Sequence, residues 1–422
     1  MKPAQRNYPI LLTSQFLSAL GDNAILAVIV GQLTYLQKAG ALTEAQLRTH
    51  NTVYTSLLFV PFIVLAPIAG FLNDRYPKTA WLAGGNGLKV IGTLLCTLSI
   101  AFGPIWQGIG YLMVGVGACV YGPAKYGILP EILTKDRLVR ANGMVELLTL
   151  VAILGGGIVG SVMSDRWKDS VLTSYGVIMG IYLGSLLLNV MMQQTPANPT
   201  VRWKTNVSTF WEHAQQLAKA PRLSRMLLGT GLFWVCGAAM KINFQPWGLN
   251  VLRLPDNTQI ALLGLWLSVG VMVGSILAGQ WFQIGDLRRT RFFGFSLGAT
   301  LALLFSVEPL EFWRHPVIQA GPLHLVVPVV GLLIGTGIAA GFFLIPLNAA
   351  LQSESDPGKL GKTIAVQNLV DNIGMSCASL LCLISVKAGI SASGVFLVLA
   401  AITSAIVFFL RTPANPSHAQ SR

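Results

Sequence analysis

Twelve mainly apolar stretches, each about 20 residues long, recur along the chain, centred near residues 22, 62, 91, 115, 151, 182, 236, 270, 299, 335, 375 and 401. A helix of that length crosses a hydrocarbon core of roughly 30 Å, and in lipid every backbone N–H and C=O has to be bonded within the segment. The chain is thereby restricted to a bundle of membrane-spanning α-helices. Composition agrees. The chain is 53% hydrophobic and 11% charged, where a soluble domain carries about 25% charged residues.

The net charge of +13 does not point to nucleic acid, because the basic residues are scattered over short loops without a stripe of interleaved aromatics. They suit loops beside anionic lipid headgroups. Placing both termini in the cytoplasm puts most Lys and Arg on the inner side. The basic start, Lys2 to Arg6, precedes an apolar run that continues past Asp22 to Leu36, which reads as a retained first helix rather than a cleaved leader. Cys96, Cys119, Cys236, Cys377 and Cys382 show no paired spacing and read as small packing residues. Tyr and Trp residues near span ends, such as Tyr8, Trp81 and Trp167, read as interfacial anchors.

The longest loop, 193–222, divides the spans six and six. Within it Phe210, Trp211, Ala214, Leu217 and Ala218 form one apolar stripe, predicting a short helix on the inner surface with His213 solvated. The expected organisation is a six-helix bundle over 1–192, this linker over 193–222, a second six-helix bundle over 223–410, and a disordered cytoplasmic tail over 411–422. The halves resemble each other. Gly115-Val116-Gly117-Ala118 matches Gly335-Thr336-Gly337-Ile338, Ile68-Ala69-Gly70 matches Leu277-Ala278-Gly279, and Asn142 to Glu146 echoes Asn368 to Asp371. Nearly constant shifts of about half the chain predict two parallel six-helix repeats. That is the major facilitator fold, all-α, with the substrate near the membrane midplane between the repeats.

Five ionisable residues interrupt the spans: Asp22, Lys89, Glu146, Lys241 and Asp371. A charge near the bilayer centre costs at least about 2.5–3.5 kcal/mol, so it persists where it faces protein or water. Two cations and three anions on separate helices form a candidate site for a ligand carrying both charges. Asn23, Asn86 and Asn368 lie beside them and add neutral hydrogen bonds. Helical rise puts Lys89 about 15 Å and Asp22 about 20 Å from the inner face, with Glu146 and Asp371 about 12 Å deep. Mutual pairing, holding helices together, is the alternative role.

Between the second and third spans runs Gly70-Phe71-Leu72-Asn73-Asp74-Arg75-Tyr76-Pro77-Lys78. It resembles the G-x-L-x-D-R-x-x-[RK] loop of major facilitator transporters. Gly70 permits close helix packing, Asp74 meets cations or helix ends, and Arg75 and Lys78 reach toward the opposite half, closing the cytoplasmic side. In the second half Gly279 and the cluster Arg288, Arg289 and Arg291 echo it, with Asp286 displaced. Gly335 to Ala340 fits a dinucleotide pattern but lies mid-span without a preceding strand. No GxxxxGK[ST] stretch and no His/Cys set at metal-ligand spacing occurs, so neither a cofactor nor a metal is expected.

Longer runs narrow the class. Gln15 to Ala24 (QFLSALGDNA), Asn86 to Lys89 (NGLK), Tyr121 to Leu129 (YGPAKYGIL), Gly341 to Ala349 (GFFLIPLNA) and Ile364 to Asn368 (IAVQN) occur in collinear order across both halves. In these runs the chain resembles the bacterial lysophospholipid transporters. The resemblance implies a flippase, not an enzyme, moving lysophospholipids, chiefly lysophosphatidylethanolamine, inward across the inner membrane by alternating access. It also implies a cytoplasmic-side acyltransferase/acyl-ACP synthetase that restores the missing chain; the expected state of the chain itself is a monomer. Position 241 is Lys where the family pattern has Arg, and position 371 is Asp where it has Glu; both keep their sign. In this frame Lys241 or Lys89 takes the phosphate, and Asp22 with Glu146 or Asp371 the ammonium. A proton-coupled exporter of amphipathic drugs is the competing expectation.

Overall fold

A computed structural model describes residues 6–134, 138–282, 287, 289–310, 317–320, 323–355 and 360–410. Helices dominate: α1 (Asn7–Lys38), α2 (Glu44–Val64), α3 (Ala66–Arg75), α4 (Lys78–Phe102), α5 (Pro104–Gly127), α6 (Leu129–Ile132), α7 (Leu138–Arg166) and α8 (Val171–Val190) come first. Then follow α9 (Trp203–Lys219), α10 (Pro221–Pro246), α11 (Asn257–Trp281), α12 (Thr290–Phe305), α13 (Val327–Glu354), α14 (Leu360–Lys387) and α15 (Ala392–Phe409). Among the described residues ten helices are long and apolar enough to cross a membrane. The bent pair α2–α3 makes an eleventh, and α12 is a shorter apolar helix. Each of the twelve predicted span centres falls on one of these helices.

Two features depart from twelve straight spans. Between α2 and α3 the chain bends by 56°, with Pro67 in the first turn of α3. Pro67 has no N–H to continue the ladder, and its ring clashes with the preceding turn. Before α13, β1 (Val317–Ala320) and β2 (Leu323–Val326) form an antiparallel hairpin with Val317 opposite Val326. An all-α fold does not anticipate it.

The chain divides into two compact units, 1–43 with 53–208, and 44–52 with 209–422. In the first unit α4 packs on α5, and α1 on α7 and α8. Leu11, Leu82, Ala124, Ile128, Leu129, Ile132 and Val145 form a buried cluster near its inner end. In the second, α11 packs on α13, α10 on α14, and α12 on α15. Large apolar side chains such as Leu94, Leu150, Met272, Ile276 and Leu380 point outward and are exposed, as lipid-facing surfaces require. The tail 411–422 lies outside the described residues.

The linker helix forms as predicted, but His213 is not solvated. It is buried, and its Nε2 lies 3.0 Å from Thr363 Oγ1 on α14. Phe210, His213, Ala214 and Leu217 share one helical face, and His213 and Leu217 are its buried members. The stripe was legible, but its extension to an imidazole was not, because a polar ring fits an apolar face once a hydroxyl partner stands opposite. Of the cysteines, Cys96, Cys119, Cys236 and Cys382 are buried and Cys377 is exposed, all free thiols.

Candidate functional site

In the first unit α1, α4 and α8 bring three polar side chains together. Asp22 on α1 is buried, and Lys89 on α4 is almost completely so. Lys89 Nζ donates to Asp22 Oδ2 at 2.7 Å and to Ser18 Oγ at 2.7 Å. Tyr182 on α8 donates its hydroxyl to Asp22 Oδ1 at 2.8 Å, so both carboxylate oxygens are engaged. The ammonium also lies 5.3 Å from the Tyr121 ring centre and 5.8 Å from that of Tyr182, in cation–π range.

Two glycines make room for this arrangement. A Cβ on Gly117 would sit 2.8 Å from Lys89 Cγ, and one on Gly21 would sit 2.7 Å from the Tyr182 ring. Neither site tolerates a side chain without displacing the charged cluster. A ladder of neutral groups continues toward the inner end. Ser18 Oγ donates to Asn86 Oδ1 at 2.7 Å, Asn86 Nδ2 to Ser185 Oγ at 2.7 Å, and Ser185 Oγ to the Ser14 carbonyl at 2.7 Å. Asn23 donates to the Ala19 carbonyl of its own helix at 3.0 Å.

Of the residues read from the sequence, this unit therefore joins Asp22, Lys89 and Asn86. The Glu146 and Asn142 side chains lie outside the described residues. Tyr182, Tyr121 and Ser18 were missed by sequence reasoning. A signal for one of them existed: Tyr182, Ser185 and Asn189 recur at helical spacing on one face of an otherwise apolar span.

The second unit is arranged differently. Lys241, twenty residues into α10, is exposed. Asp371 on α14 is buried, with Thr230 and Trp234 of α10 beside its carboxylate. Close approach of α10 and α14 puts it there, since a Cβ on Gly374 would sit 2.8 Å from the Gly231 carbonyl oxygen. Among the described residues Asp371 makes no ion pair, and its Oδ1 is buried without a hydrogen bond. Lys241 is seven residues beyond Trp234, about 10 Å along the axis, so α10 does not bring it to Asp371. Asn368 is exposed one turn before Asp371, while Gln367 donates to Asn348 Oδ1 at 2.8 Å.

At the inner end of the first unit the loop after α3 meets the linker. Lys78 forms an ion pair with Glu131. Arg75 Nη1 donates to the Val201 carbonyl at 3.3 Å, and the Arg75 carbonyl accepts from the Asn198 N–H at 2.9 Å. Arg75 and Lys78 thus have partners within their own unit, where the sequence predicted reach toward the other half. Asp74 is exposed. A Cβ on Gly70 would meet nothing within 4 Å, so close packing is not what this glycine supplies, contrary to the expectation. Thr195 was also missed. Pro77 gives α4 no side-chain cap, and Thr195 Oγ1 instead accepts from the Lys78 N–H at 3.0 Å and the Thr79 N–H at 3.4 Å. In the second-half counterpart, Asp286 and Arg288 lie outside the described residues. Arg291 donates to the carbonyls of Val407 at 3.2 Å and Phe408 at 3.1 Å.

Two units of membrane-spanning helices, each with ionisable residues set within the apolar bundle, define a multi-pass membrane protein. The chain belongs to the Major Facilitator Superfamily, whose family model matches residues 11–379. Relatives narrow the comparison. The Lysophospholipid transporter LplT of Enterobacter sp. (strain 638) is 33% identical over 392 residues, covering 91% of this chain and 89% of that protein. The protein of the same name from Pectobacterium carotovorum subsp. carotovorum (strain PC1) is 32% identical over 393 residues, covering 92% and 88%. Among solved structures, a POT family transporter in complex with a thioalcohol-conjugated peptide superposes with a TM-score of 0.70 at 12% identity, covering 96% of this chain and 95% of that one. A bacterial homologue of the iron transporter ferroportin in an inward-facing state gives 0.68 at 14% identity, covering 97% and 99%. These two likenesses concern the fold alone. The protein is a transporter and not an enzyme.

Proposed function

We propose that the protein moves lysophospholipids, chiefly lysophosphatidylethanolamine, inward across the bacterial inner membrane by alternating access, delivering them to a cytoplasmic-side acyltransferase/acyl-ACP synthetase. The observation that carries the reading is Asp371, a buried carboxylate whose Oδ1 has no hydrogen bond among the described residues. A buried acceptor left open is costly, and an ammonium group satisfies it. In the same unit Lys241, exposed on its helix, supplies a point charge for a phosphate. Asn368 adds a neutral contact. Support also comes from relatives that carry the name lysophospholipid transporter over about nine-tenths of their length.

In the first unit Asp22, Asn23, Asn86, Lys89 and Glu146 complete the proposed substrate-contacting set. Asp22 and Lys89 enter it already paired. Their sum is neutral, so a zwitterionic headgroup exchanges partners with them without stranding a charge. The loop carrying Gly70, Asp74, Arg75 and Lys78 is the proposed cytoplasmic gate.

The test is uptake in proteoliposomes holding the purified protein, supplied with labelled lysophosphatidylethanolamine, with and without proton or sodium gradients. Inward movement that stops in Lys241→Ala liposomes of equal protein content is the expected result. Movement indifferent to the protein, or outward movement of amphipathic cations driven by protons, contradicts the proposal.

A further inference from the structure

α9 carries more apolar surface than it buries, and two attachments fix where that surface lies. At its C-terminal end the Ala220 N–H bonds back to the Gln216 and Leu217 carbonyls at 3.1 and 3.2 Å, and Pro221 then starts a membrane-spanning segment. Eight residues earlier than Pro221, His213 meets Thr363, one residue inside the apolar stretch Lys362–Lys387 of α14. Both attachments hold α9 at the level where spans leave the bilayer. With the termini in the cytoplasm, that level is the inner surface.

The His213 contact also fixes the rotation of the helix. His213 and Leu217 are buried and mark the face turned to the protein. At about 100° per residue, Glu212, Gln216 and Lys219 fall on one flank of that face, and all three are exposed. Val207, Trp211 and Ala218 fall on the other flank, at spacings of four and seven residues. Trp211 is 45% exposed there, and Ala218 is exposed as well. An indole with its apolar ring and single N–H suits the boundary between acyl chains and headgroups. The charge around it is mostly of one sign: Arg202, Lys204 and Lys219 against Glu212, with Arg225 at the start of α10. Anionic headgroups complement that balance.

We propose that the apolar flank of α9 is a docking surface for anionic phospholipid of the inner leaflet. Val207, Trp211 and Ala218 lie among the headgroups and upper acyl chains, and Arg202 and Lys219 meet the phosphates. Lys219 stands on the neighbouring flank, and its long stem lets the ammonium reach the headgroup layer. None of these residues belongs to the proposed substrate-contacting set, so the surface is independent of what is transported. The linker is then a helix pinned between α14 and the leaflet, and not a free tether.

The test uses the full chain reconstituted in phosphatidylcholine vesicles, with and without phosphatidylglycerol. The chain has 10 tryptophans, so the fluorescence of Trp211 is taken as the difference between wild type and Trp211→Phe. Phospholipids brominated along the acyl chain quench an indole that lies at the depth of the bromine. Bromines close to the headgroup are expected to quench the Trp211 contribution. Brominated phosphatidylglycerol is expected to do so at about fivefold lower mole fraction than brominated phosphatidylcholine, the scale of one basic residue at an anionic surface. Arg202 and Lys219 are exposed, so their replacement leaves the packing intact, and Arg202→Gln with Lys219→Gln is expected to abolish the preference. A Trp211 contribution untouched by bromolipid, and quenched instead by acrylamide in the water, overturns the proposal. Equal quenching by the two lipids, or a preference that survives the double variant, overturns the assignment to anionic lipid.

Discussion

The two units hold their buried charges in opposite ways. In the first, Lys89, Asp22 and Tyr182 satisfy one another, every oxygen of the carboxylate has a donor, and the ammonium lies over two aromatic rings. In the second, Asp371 keeps an oxygen without a hydrogen bond among the described residues, and Lys241 is exposed. The same sequence signal, a charge inside an apolar span, therefore has two physical meanings. A compensated pair is first a matter of holding α1, α4 and α8 together. A carboxylate with Thr230 and Trp234 beside it and one oxygen still open is, in the proposed reading, a place for a group the chain itself does not supply.

Substitutions that separate folding from transport sharpen this contrast. The largest effect is expected from Lys89→Ala, which strands the Asp22 carboxylate and costs about 3–5 kcal/mol of stability. A thermal-unfolding series in detergent should show it, with Asp22→Asn/Lys89→Met recovering most of the loss. A double variant no more stable than the single one would mean the pair is not a unit. Asp371→Asn is expected to leave unfolding temperature unchanged while reducing the preference for ethanolamine over glycerol headgroups about tenfold. Competition between the two lysolipids measures it, and an unchanged ratio removes Asp371 from headgroup contact. The smallest effect belongs to the inner loop. Thr195→Ala is expected to cost about 1 kcal/mol, the scale of a helix N-cap, while Thr195→Ser restores it. Hydrogen exchange at Lys78 and Thr79 reads the cap directly.

Much of the fold was legible in the residues. Spans in lipid obey one rule, about 20 apolar residues with internal backbone bonds, and each predicted centre lies on a helix. Which helix carries each charge was legible too, because the apolar spans coincide with helices. Partnership was not. Asp22 and Lys89 are separated by 67 residues, and periodicity gives the face of a helix but not the neighbour it meets. Tyr182 went unremarked because a tyrosine in an apolar span looks like core until a carboxylate appears beside its hydroxyl. Arg75 and Lys78 were expected to reach away from their own unit, yet Glu131 and the Val201 carbonyl engage them.

The contrast between the units comes down to whether Lys241 holds substrate. Equilibrium binding of labelled lysophosphatidylethanolamine to purified Lys241→Ala, beside its unfolding temperature, tests that most directly. Affinity at least about tenfold weaker than wild type, at an unchanged unfolding temperature, is the expected result. Wild-type affinity in that variant would contradict the account.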